Sequence, residues 1–259
     1  MLLRIEALLD YAFPAPADVL LQVEVASLPD QRLEAQSLIV ESDNPIRAVA
    51  GEEGVGQRTW ARADRRLVVR YDATVRIVRE PVRIEDFGPT PVTDLPAATV
   101  AYLLPSRYCE SDRFEHFVRT RFAGLRGGAL AAALSRWVGE NITYDGLGST
   151  CGTGAMETFA ERRGVCRDYA HLLVALARAA EIPARCVSAY APGVDPPDFH
   201  AVAELWLDGA WRLLDPTGMG SAADLARVAV GRDATDIAFM TVFGTANFLE
   251  QRVTVTRIG

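Results

Sequence analysis

The 259-residue chain contains no lysine; all 27 of its basic residues are arginine. They are scattered among 34 acidic residues, for a net charge of −7. No clustered cationic face is available for phosphate, so no nucleic-acid partner is expected. Long apolar runs are also missing. Met1-Leu2-Leu3-Arg4-Ile5-Glu6 has no basic leader ahead of an apolar core, and no run reaches membrane-spanning length. The expectation is a soluble cytoplasmic protein with no membrane partner. Cysteine is scarce: Cys109, Cys151, Cys166 and Cys186 stand singly, without a C-x-x-C pair. That pattern excludes a zinc knuckle or redox dithiol and, in a reducing compartment, a disulfide framework. Neither a metal site nor a cofactor is expected. At 49% hydrophobic the chain has ample material for one large core or two ordinary ones. Oligomeric state is not legible at this level.

The first eighty residues read as β-structure. Val19, Leu21, Val23 and Val25 alternate with Leu20, Gln22, Glu24 and Ala26, and Leu67, Val69, Tyr71, Ala73, Val75 and Ile77 alternate with mostly polar neighbours. Further strands are predicted over 33–40 and 57–63, with turns at Asp43-Asn44-Pro45 and Gly51 to Gly56. No helical pattern is present to cover a parallel sheet, so an antiparallel sandwich is expected over 1–80. Prolines at 81, 89, 91, 96 and 105 mark a connector over 81–105, since each lacks the N–H that a helix interior or central strand needs. The remainder, 106–259, reads as an α+β domain. Asp112 and Glu115 suggest a capping box, and helices are predicted from about 128 to 140 and from 153 or 154 to 163. Strands follow at 185–190, 198–207 and 211–214, with Asp208-Gly209 as a hairpin turn. A final strand over 247–258 could return to the N-terminal domain.

Gly164-Val165-Cys166-Arg167-Asp168-Tyr169-Ala170-His171 organises this second part. Gly164 permits a sharp turn, and Ala170, Leu173, Val174 and Ala177 then recur at helical spacing, which puts Cys166 at a helix N-terminus. Unpaired N–H groups and the positive end of the macrodipole favour a thiolate there. His200 and Asp215 follow 34 and 15 residues later. Because the hairpin folds back at Asp208-Gly209, His200 at the start of one strand and Asp215 just past the next come to the same end. An aspartate so placed fixes the imidazole tautomer, and the imidazole can then reach the thiol. His171 lies about 140° around the helix from Cys166, off that face. His116, on a Phe-rich helix, has no acid placed for it. Cys109, Cys151 and Cys186 read as packing residues, with Cys151 in a Gly-rich loop that could approach the site. Asp168 and Arg167 can line a substrate site, although capping of the helix explains Asp168 as well. Tyr144 is a candidate second oxyanion donor beside the Cys166 N–H.

The stretches 164–171, Ile182-Pro183-Ala184-Arg185, 199–204 (Phe-His-Ala-Val-Ala-Glu) and 211–217 (Trp-Arg-Leu-Leu-Asp-Pro-Thr) together resemble the core of the transglutaminase-like superfamily in its microbial form. The resemblance covers about 105–245. The preceding β region, Leu104 to Tyr108 and Gly231-Arg232-Asp233 resemble the bacterial group of that family. It implies a papain-like fold with a helix carrying the cysteine on an antiparallel sheet, a Cys166, His200, Asp215 triad, and a peptide or protein amide as substrate. Animal transglutaminases have tryptophan after the nucleophile where this chain has Arg167, and their calcium-binding domains have no counterpart here. The implied activity is that of a cysteine peptidase or amidase. Amine acyl transfer and a non-catalytic peptide-binding module are the alternatives.

Overall fold

The structure is a computed structural model that describes residues 1–42 and 44–258; Asp43, assigned above to a turn, lies outside the described residues. Alternation sets up the N-terminal sandwich. In β1 (Leu2–Ala12), Leu3, Ile5, Ala7 and Leu9 point inward while Arg4 and Glu6 face solvent. This strand pairs antiparallel with β6 (Arg66–Ile77), whose Leu67, Val69, Tyr71, Ala73, Val75 and Ile77 bury the matching face. β3 (Gln31–Glu41) lies beyond β6. The second sheet holds β2 (Ala17–Leu21), β4 (Arg47–Ala50) and β5 (Gln57–Ala63), and the inner faces of both sheets share one apolar cluster.

The chain's end completes both sheets. β13 (Met240–Phe243) pairs with β2, and β14 (Asn247–Arg257) pairs along the whole of β1, so the sandwich is 1–77 plus 240–257 rather than a segment that closes near residue 80. β1 escapes a pattern search because the doublets Leu2-Leu3 and Leu8-Leu9 blur its alternation. The alternation from Val19 to Val25 also outruns its strand. From Gln22 onward both faces are buried, because this segment is clamped between the sandwich and the second domain. The Val25 N–H donates to Tyr71 Oη at 2.8 Å, the Tyr190 hydroxyl donates to the Val23 carbonyl at 2.7 Å, and the Ala26 N–H donates to the Arg227 carbonyl at 2.9 Å.

The second sheet system has the order β11 (Ala210–Leu214), β10 (His200–Leu207), β9 (Ala184–Tyr190), β12 (Ala226–Gly231), all antiparallel. β12 was not expected from the sequence; nearly every residue in it is buried, so it carries no polar-apolar alternation. The cysteine helix, Cys166–Ala179, packs on β10 and β9. Two further helices, Gly127–Asn141 and Ala155–Glu161, cover its other side, which leaves Asp168 through Arg178 buried all round. Gly128 marks one close crossing: a Cβ there would lie 1.8 Å from the Ile84 carbonyl oxygen, where the connector passes over the helix start. Ahead of it, the Asp112–Glu115 capping box does not form. That stretch is a 3₁₀ turn, Ser111–Arg113, followed by a helix Glu115–Arg121 with no side-chain cap.

Candidate active site

Cys166 is the first residue of its helix, with Val165 as N-cap in extended conformation. The Val165 N–H donates to Asp168 Oδ2 at 2.8 Å, so the Asp168 carboxylate, fully buried, closes the helix start from inside. This contact also assigns Gly164. Its φ is not positive, and no turn depends on it; instead a Cβ there would sit 2.7 Å from the Asp168 Cβ, so glycine leaves room for the cap. Gly164 belongs to β8 (Arg163–Gly164), which pairs in parallel with β7 (Thr143–Tyr144). That short ladder brings Tyr144 beside Cys166.

The hairpin delivers the other two residues. Asp208 and Gly209 both take positive φ, 50° and 74°, as a tight two-residue hairpin requires. His200 opens β10, Asp215 follows β11, and His200 Nε2 lies 2.8 Å from Asp215 Oδ2. Asp215 is held at both oxygens: Oδ1 accepts from the Thr217 N–H at 2.9 Å and Thr217 Oγ1 at 2.7 Å, and Oδ2 also accepts from the Gly220 N–H at 2.8 Å. Burial works against its charge, but the His200 bond and these donors outweigh it and hold the carboxyl below its usual range. With Nε2 committed, Nδ1 is the ring nitrogen left for Cys166. It is buried and has no hydrogen-bond partner, a gap that a thiolate or a leaving amine can fill. Burial alone would lower the His200 pKa. The hydrogen bond to Asp215, with the influence of the neighbouring Cys166, overcomes it and raises the imidazole to about 9. Cys166 is half-buried, whereas His200 and Asp215 beside it are almost wholly enclosed.

Tyr144 lies at the same point. Its phenol is pushed up to about 12, chiefly by burial and then by the adjacent Cys166 thiol, and its oxygen sits next to the Cys166 backbone N–H. The structure thus brings Cys166, His200, Asp215 and Tyr144 together. Arg167 and Asp168 point elsewhere: Asp168 caps the helix, and Arg167 Nη2 donates to Ser149 Oγ and the Thr150 carbonyl, each at 2.7 Å, pinning the loop beside the site. His171 is buried on the far face, where its Nε2 accepts from the Ala234 N–H at 3.1 Å and its ring stacks on Tyr108. His116 and Cys151 are exposed, and Cys109 and Cys186 lie in the core. Among the described residues, no three His, Cys, Asp or Glu side chains converge as a metal would require.

Sequence reasoning passed over Thr217 and Gly220, although the Asp-Pro-Thr-Gly run is a recognisable side-chain turn signal. It also passed over Tyr108, whose hydroxyl donates to the Cys151 carbonyl at 2.8 Å and holds the other end of the loop that Arg167 pins. No local pattern marks that contact, which spans 43 residues.

A family model described as "Transglutaminase-like superfamily" matches residues 124–216, the segment that contains Cys166, His200 and Asp215. The crystal structure of a putative cysteine protease from Cytophaga hutchinsonii superposes with a TM-score of 0.92 and 30% identity, covering 99% of this chain and 90% of that one. An uncharacterized protein of Mycobacterium leprae is 33% identical over 117 residues, 41% of this chain and 41% of its own length. A second, from Mycobacterium tuberculosis, is 33% identical over 106 residues, 36% of this chain and 33% of its own length. This chain thus spans well under half of each of these mycobacterial proteins. A full-length structural match at 30% identity, together with the family model over the Cys166 to Asp215 core, means that the chain belongs to the transglutaminase-like superfamily.

Proposed function

We propose that the protein is a cysteine hydrolase acting on an amide or peptide bond of a peptide or protein through an acyl-enzyme. The observation that carries this reading is the buried His200 imidazole, with Nε2 on a fixed carboxylate and Nδ1 unpartnered, beside half-buried Cys166 at a helix N-terminus. Cys166 as thiolate attacks the carbonyl carbon, and the carbonyl oxygen becomes an oxyanion. We assign the Cys166 N–H and the adjacent Tyr144 hydroxyl as its donors, the N–H turning from the phenol oxygen to the oxyanion as it forms; such donors supply about 3 kcal/mol each in sites of this kind. The intermediate collapses and the C–N bond breaks. The amine leaves with a proton from the His200 imidazolium, which a pKa of about 9 keeps available at neutral pH. Neutral His200 then takes a proton from water, whose oxygen displaces the thiol from the thioester to give the carboxylic acid. The proton balance closes without a cofactor.

Acyl transfer to an amine shares every step up to the thioester. 4-Nitrophenyl acetate tests both readings. The parent protein should gain one acetyl group at Cys166 by intact mass and peptide mapping, and Cys166→Ala should gain none while keeping its circular dichroism spectrum. Tyr144→Phe should slow acetylation roughly 10²–10³-fold, as loss of an oxyanion donor does elsewhere. A labelled primary amine added after acetylation should remain unmodified if water is the acceptor and become acetylated if transfer operates. Acetylation of Cys166→Ala at the parental rate would defeat the proposal.

A further inference from the structure

Asp198 lies two residues ahead of the site imidazole, in the exposed segment that leads into His200. Its Oδ1 accepts from the Phe199 N–H at 2.7 Å and from Gln251 Nε2 of β14, so the last strand of the sandwich fixes the orientation of this carboxylate. Oδ2 takes no hydrogen bond and no arginine pairs with Asp198 among the described residues. The chain is rich in arginine, and nearby acids do have partners: Asp10, beside Tyr11 on β1, accepts both Arg66 nitrogens, and Arg252, next to Gln251, pairs with Glu250. Asp198 is close enough to Tyr144 and to Tyr11 to help raise both phenols, and its Gln251 bond ties it to β14 beside β1. The rim around it is aromatic. Tyr11 meets exposed Phe248 edge to face at 5.7 Å, and Tyr144 is itself part-exposed.

Resting on the cysteine-hydrolase reading above, we infer that Asp198, oriented by Gln251 and flanked by Tyr11 and Tyr144, binds a protonated primary amine of the substrate beside the scissile bond. An unpaired carboxylate among aromatic faces is the chemistry that selects a cation. Partial desolvation raises the Asp198 carboxyl above its usual range against the pull of its Phe199 and Gln251 donors, and a cationic substrate group would supply the counter-charge. An amine held protonated has no free electron pair. The recognised group is therefore a specificity handle rather than the acceptor of the acyl group, and its recognition gives the N-terminal sandwich a part in substrate choice.

The test uses three methanethiosulfonates, carrying a neutral methyl, a cationic 2-aminoethyl and an anionic 2-sulfonatoethyl group, with modification rates read at Cys166 and, as internal reference, at exposed Cys151. Asp198→Asn should lower the cation-to-anion rate ratio at Cys166 about tenfold and leave the ratio at Cys151 unchanged, whereas Asp195→Asn on the same loop should move it less than about twofold. A ratio that stays within about twofold in Asp198→Asn, or that falls equally in Asp195→Asn, overturns the inference. Neutral-reagent reactivity at Cys166 that is insensitive to His200→Ala would instead overturn the underlying hydrolase reading. Thioesters of Nα-acetyl-lysine and of unacetylated norleucine separate a side-chain amine from an α-amino group: the one whose acylation of Cys166 slows in Asp198→Asn carries the recognised charge. Equal indifference of both to the substitution contradicts the inference.

Discussion

His200 and His171 are both almost fully buried, at 2% and 1% exposure, and each has an aspartate close by, yet the first imidazole is raised to about 9 and the second pushed down to about 3. Burial disfavours the cation at both. The difference lies in what the carboxylate is doing. Asp215 gives one oxygen directly to the His200 ring, whereas Asp233 is consumed by the N–H groups of Tyr108 and Thr235, and His171 is left to accept from a backbone N–H. An acceptor nitrogen facing a donor has no use for a proton. Proximity of an acid thus decides nothing until its lone pairs are counted, and a buried histidine becomes a candidate general acid only where the carboxylate reaches the ring.

The sharpest way to break this contrast is Asp215→Asn, which keeps the shape and removes the charge. The His200 pKa should fall from about 9 toward its ordinary 6.5, since burial is then opposed only by neighbouring Cys166, and acylation of Cys166 should slow roughly 10²–10⁴-fold. Imidazole proton shifts against pH, with stopped-flow acylation by 4-nitrophenyl acetate, report both effects.

That prediction also shows how much was readable beforehand. Cys166, His200 and Asp215 could be aligned from the sequence because a helix start and a two-residue hairpin are short-range devices whose geometry follows from Gly, Asp and the strand period. The sandwich could be recognised from period-2 burial in the Leu67–Ile77 strand. What stayed hidden is long-range: the strand β13, the partner that the expected last strand finds in β1, the insertion of 22–26 between two layers, and the capture of Asp198 by Gln251, none of which leaves a local signature. β12 was missed for the opposite reason, as a strand covered on both faces has no pattern to lose.

A smaller effect is expected on the other side of the helix. His171→Phe should cost about 1–3 kcal/mol of stability by leaving the Ala234 N–H unpaired, with acylation of Cys166 changed less than about threefold. The two histidines should also tilt stability against pH in opposite directions. The folded protein cannot charge His171 until about pH 3, while the unfolded chain protonates it near 6.5, so this residue removes stability as pH falls through that window. His200, raised in the folded state, contributes stability that is complete below about 6.5 and lost as pH rises through about 9. Urea unfolding from pH 4 to 10 should show a flatter acid limb in His171→Phe and an unchanged alkaline one.

The most direct measurement is the rate of iodoacetamide alkylation at Cys166 at pH 7, resolved from Cys151 by peptide mapping, in the parent protein and in His200→Ala. The imidazole beside the sulfur predicts that Cys166 outpaces Cys151 by about tenfold or more and loses that advantage in His200→Ala, with Cys151 unaffected. Equal rates at the two cysteines, or a fast Cys166 that keeps its rate without His200, would contradict the assignment of Cys166 and His200 as a catalytic pair.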